Sequence, residues 1–173
     1  IIVGPNNSGK TFLATAFYSL VNIPITPHDY LLINMNLSTG ENEYEINFKK
    51  EELEKFVAYA VTRYFGVPID KIITVGENEG VIENDNVKVV LKKDRKVKVE
   101  MKKELKFLIK YKEGTVNRVI PHIIEDEEGA EIEKIEISGD KEFANDIITD
   151  QALTALFSMG WDPTAFISSE RIA

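Results

Sequence analysis

A mixed α/β fold with α+β character is predicted for this 173-residue chain by three features of its sequence. A glycine loop at residues 4–11 stands between a short apolar run and a helical pattern, the signature of a turn from a buried strand into a helix. Two further stretches, residues 51–65 and 141–159, repeat apolar residues at helical spacing. Between them, residues 72–137 alternate short β-branched runs with turn clusters, which predicts a meander of antiparallel strands. The length suits one ordinary domain with a sizeable core, and 43% hydrophobic with 29% charged residues excludes long intrinsic disorder.

Each element has its own justification. Ile1, Ile2 and Val3 close an apolar run at Gly4, and Phe12, Leu13, Ala16, Phe17 and Leu20 predict a helix to about Val21, ended by Asn22, Pro24 and Pro27. Strand-like stretches at Tyr30–Leu37 and Glu43–Phe48 flank Ser38–Asn42 and predict a β-hairpin. Leu53, Phe56, Val57, Ala60, Val61 and Tyr64 share one face of the next helix, with Gly66 and Pro68 as its stop. Val97, Val99 and Met101 alternate with Lys96, Lys98, Glu100 and Lys102, as in a sheet with one face in water. A last helix carries Phe143, Ile147, Ala152, Leu156 and Phe157, begins with acids that suit its dipole, and is broken by Trp161, Asp162 and Pro163.

The chemistry concentrates at Gly4, Pro5, Asn6, Asn7, Ser8, Gly9, Lys10 and Thr11, which satisfy GxxxxGK[ST], the P-loop or Walker A pattern. Glycines let the backbone curl so that successive N–H groups face phosphate oxygens, and the helix that follows directs its positive end at the same anion. Lys10 reaches the β and γ phosphates in that reading, and the Thr11 hydroxyl is one ligand of an octahedral Mg²⁺. The predicted nucleotide-binding residues are Gly4, Asn6, Asn7, Ser8, Gly9, Lys10, Thr11 and Phe12, the metal ligand is Thr11, and the cofactors are ATP and Mg²⁺.

GPNNSGKT followed by FLATAF resembles the Walker A region of the ABC-type ATPases that are not transporters, the RecF, structural-maintenance-of-chromosomes and overcoming-lysogenization-defect relatives. The specific part of the likeness covers residues 1–20; a strand-rich region after the first helix and the segment FISSER at 166–171 match the organisation of that superfamily more loosely. The resemblance implies a head that binds ATP and Mg²⁺ and dimerises by sandwiching nucleotide between two heads, with DNA repair or maintenance as the expected setting. On this reading the chain is the N-terminal portion of such a head: a P-loop lobe with hairpin and helix at 1–70, an antiparallel β subdomain at 71–138, and a helix with return strand at 139–173.

The same family needs a signature loop and a Walker B strand ending in two acids. Leu37–Glu41 spells LSTGE, but it stands early, between two strand patterns, and is read as a turn. His122–Glu127 has the look of a Walker B and Asp126–Gly129 fits DxxG, yet the surrounding alternation makes an acidic turn the preferred reading. Both motifs are therefore expected beyond Ala173, and hydrolysis is expected of the parent protein, since a P-loop without its water-orienting acid binds but turns over poorly. The rival readings are a P-loop kinase, for which the four scattered arginines Arg63, Arg95, Arg118 and Arg171 supply no lid, and an interaction domain that holds nucleotide without turnover.

Charge is unevenly spread. Lys88–Lys112 holds eleven basic residues against three acids in a chain whose formal net charge is −8. A solvated sheet face, with Glu131, Glu133 and Glu136 as neutralising neighbours, is preferred over a nucleic-acid contact, because only Phe107 and Tyr111 offer stacking there. His28 and His122 lack ligand spacing and are read as structural, Arg171 as a cap or surface ion pair, and Trp161 with Phe157 as core. The absence of cysteine excludes disulfides and thiolate metal sites, and no apolar run reaches the roughly 18–20 residues of a membrane span. No membrane association and a cytoplasmic location are the expectations.

Overall fold

The computed structural model describes residues 32–73, 77–125 and 131–157, with the side chains of 122–125 and 131–133 excepted. The fold is mixed α and β. In chain order the elements are β1 (Gly40–Ile46), α1 (Lys50–Phe65), α2 (Ile69–Ile72), β2 (Glu79–Glu83), β3 (Val87–Lys92), β4 (Val97–Met101), β5 (Leu105–Glu113), β6 (Arg118–Glu125), β7 (Glu131–Gly139) and α3 (Lys141–Phe157). They belong to two compact units, one built on Lys50–Lys103 with Leu156 and Phe157, the other on residues 32–49 with Glu104–Ala155.

In the first unit β2, β3 and β4 form an antiparallel meander in that order. Period-two alternation puts Ile82, Val87, Val89, Leu91, Val97 and Val99 on its buried face. On α1, which lies against β4, the 3.6-residue period buries Leu53, Phe56, Val57, Ala60 and Val61. Each such large side chain contributes about 1.5–3 kcal/mol on leaving water. Gly66, at φ +66°, ends α1 in the left-handed conformation that glycine adopts at little cost, and its N–H donates to the Thr62 carbonyl at 3.0 Å. Tyr64 departs from the predicted apolar face: it is 42% exposed, and its ring meets Phe65 edge-on at 5.8 Å. The β2–β3 turn is held by Asn84, whose Oδ1 accepts from the N–H groups of Asn86 and Val87 at 2.8 and 2.7 Å, while its Nδ2 donates to the Leu156 carbonyl at 3.1 Å.

The second unit carries a four-stranded sheet in the order β1-β5-β7-β6. Its buried face is Ile46 of β1, Phe107, Ile109 and Tyr111 of β5, and Ile135 and Ile137 of β7. From α3 the same unit buries Ala144, Ile148, Ala152 and Leu153, whereas Phe143 and Ile147 of the predicted stripe are only half-buried. The Asp140 carboxylate caps that helix, accepting from the Phe143 N–H at 2.8 Å. The ends of β5 and β7 meet at Gly139, whose carbonyl accepts from Tyr111 Oη at 3.0 Å and from the Gly114 N–H at 3.2 Å. Gly139 has φ +148°, and a Cβ there would stand 2.7 Å from both Asn117 Oδ1 and Phe143 Cδ1.

Two predicted arrangements are corrected. The six strands between residues 72 and 139 do not form one antiparallel meander: they divide between the two sheets, and β7 pairs in parallel with β5 and antiparallel with β6. Pro121 gives the physical reason. In a meander β6 would be central, and proline, lacking an N–H, would leave a ladder bond unmade; β7 instead inserts beside β5, and β6 becomes an edge strand where proline is tolerated.

The hairpin predicted for residues 30–48 is likewise absent among the described residues: residues 32–38 form no strand, and β1 pairs antiparallel with β5. The backbone groups of 32–38 are engaged elsewhere. Asn145 of α3 accepts from the Met35 N–H at 2.8 Å and donates Nδ2 to the Met35 carbonyl at 3.4 Å, the Leu32 carbonyl accepts from Lys49 N at 2.9 Å, and the Ser38 N–H reaches Tyr44 Oη at 2.9 Å. The predicted strand at 1–3, the glycine loop, the first helix, and the segment after Phe157 with Trp161 and Arg171 lie outside the described residues.

Two substitutions test this packing. Asn145→Ala leaves the Met35 N–H without its partner and is expected to cost about 1–3 kcal/mol; Gly139→Ala forces a Cβ into occupied space at a left-handed φ and is expected to cost at least about 1–3 kcal/mol. Thermal unfolding reads both, and unchanged midpoints would contradict these roles.

Candidate functional site

The predicted phosphate-binding residues Gly4, Asn6, Asn7, Ser8, Gly9, Lys10, Thr11 and Phe12 lie outside the described residues, as do His28 and the DxxG stretch Asp126–Gly129. The flanks of that stretch are described: Glu125 of the edge strand β6 pairs with Glu131 of β7. LSTGE opens no helix. Leu37 is buried, and Gly40, at φ +106°, begins β1, so this string is a strand entry and not the turn of a hairpin. Among the described residues no group of three or more His, Cys, Asp or Glu side chains is placed to hold a metal ion.

The basic stretch resolves into paired rows. On the three-stranded sheet, Lys88 stands opposite Glu83 on one side and Glu100 on the other, and Lys92 stands opposite Glu79. On the four-stranded sheet, β1 sets Glu45 opposite Lys106 and Glu41 opposite Lys110, and β7 sets Glu136 against Lys110, with Lys110 Nζ 3.3 Å from the Glu136 carboxylate. Lys134 of β7 reaches Glu41 at 2.7 Å, and Lys102 pairs with Glu83. Opposite charges at directly facing positions favour the pairing of two strands that each bury only one side. This is the solvated sheet face expected from the sequence, with Glu136 in its predicted neutralising role.

These pairs move the titrations of their members. The hydrogen bond from Lys134, aided by its charge, holds the Glu41 carboxyl below the usual carboxylate range, and the same bond raises the Lys134 ammonium. Lys102 likewise lowers Glu83. The backbone N–H of Lys96, then its ammonium, lowers Asp94. Burial raises the Tyr111 phenol, reinforced by the charges of Glu113 and Asp140.

One further cluster of charges was not evident in the sequence, and three of its five cations are ion-paired, Lys55 with Glu52, Arg95 with Asp70 and Lys96 with Asp94. Beside the N-terminal half of α1 and the β3–β4 turn lies an open groove of about 590 Å³ lined by Lys50, Lys55, Arg95, Lys96 and Lys98, with Glu51 and Glu54, over Ala58 and Val97. Its elements are distant in sequence, which is why only the excess of lysine over acid in residues 88–112 hinted at it.

Comparison of the chain with known protein families, with curated proteins and with solved structures finds no match. No helix among the described residues is long and apolar enough to cross a membrane.

The Glu41–Lys134 pair generates a pH prediction. A depressed carboxyl contributes stability above its unfolded pKa and loses it as pH falls through the folded value; a raised lysine contributes below its unfolded pKa and loses it as pH rises through the folded value. Glu41→Gln is therefore expected to lower the unfolding temperature slightly at neutral pH, with the gap closing in acid and again above the lysine range. A gap independent of pH would contradict the pairing.

Proposed function

We propose that this chain is the ATP-binding portion of an ABC-type P-loop ATPase of the non-transporter kind, with a P-loop core lobe at its N-terminus. The observation that carries the reading is the string Gly4–Thr11, set between Ile1–Val3 and the apolar helical pattern from Phe12. The mixed α and β architecture is compatible with it. The donor set fits Mg²⁺-ATP by its chemistry: a run of backbone N–H groups freed by Gly4 and Gly9, one cation at Lys10 and one hydroxyl at Thr11.

In this proposal the loop amides from Asn7 to Thr11 donate to phosphate oxygens, Lys10 places its charge at the β and γ phosphates, and the Thr11 hydroxyl orients the metal side of the site. Bound Mg²⁺ supplies neutralisation of the phosphate charge. Binding is the property proposed for this chain; hydrolysis is proposed for the protein in which Walker B and signature residues complete the site, with two heads closing on nucleotide as a homodimer.

Calorimetric titration of ATP, ADP and GTP, with and without Mg²⁺, tests the reading. Adenine nucleotides are expected to bind more tightly with Mg²⁺. Lys10→Ala is expected to weaken ATP binding about 10- to 100-fold, the worth of a charge-assisted hydrogen bond, and Thr11→Ala to remove most of the Mg²⁺ dependence. Equal binding by wild type and Lys10→Ala would overturn it.

A further inference from the structure

We draw no further inference here: the strongest candidate, the exposed side chains of Tyr59, Tyr64 and Val67 at the C-terminal end of α1 and the turn after it, has nothing in the structure to show what covers it.

Discussion

Each of the two sheets buries one face, and that constraint orders the surface of the described fold. The other face of β1, β3, β4 and β5 is rich in charge, and a row of like charges across neighbouring strands would oppose the pairing that makes the sheet. The chain meets this by setting acidic strands against basic ones. Glu41 and Glu45 of β1 face Lys110 and Lys106 of β5, Glu136 of β7 faces Lys110, and Glu79, Glu83 and Glu100 face the lysines of β3. Seven of the eleven cations of residues 88–112 face an acid across a strand pair or hold an ion pair, in a chain that is acidic overall.

Backbone accounting explains the topology in the same terms. Pro121 lacks a donor, so its strand takes the sheet edge and β7 moves in beside β5. The close of that parallel pair needs Gly139, because its carbonyl serves both Tyr111 and Gly114 while Asn117 and Phe143 occupy the space of a side chain. Leu32–Ser38 has strand-like composition but no strand partner among the described residues; the Asn145 side chain satisfies both backbone groups of Met35 in place of a ladder.

Local elements were legible in the sequence wherever period and stop signals agreed. The apolar face of α1, its glycine stop, the alternation of β4 and the acidic start of α3 needed only neighbours within a few residues. Pairing was not legible, because β1 with β5 and β5 with β7 are choices between distant segments of similar alternation, decided by charge register and by one proline. The proposed phosphate-binding string Gly4–Thr11 is contiguous, so the sequence alone suggests its chemistry, and its residues lie outside the described part of the fold. The groove gathers Lys50 from a helix and Arg95–Lys98 from a turn and strand, and only the fold brings them together.

In the proposed reading the backbone of residues 4–11 holds the nucleotide. Amide hydrogen exchange read residue by residue, with and without Mg²⁺-ATP, tests it most directly. Slowed exchange concentrated at Asn7–Thr11, with the amides of β1–β7 unchanged, is the predicted result. Exchange unaltered at those residues under saturating nucleotide, or protection confined to another part of the chain, would contradict it.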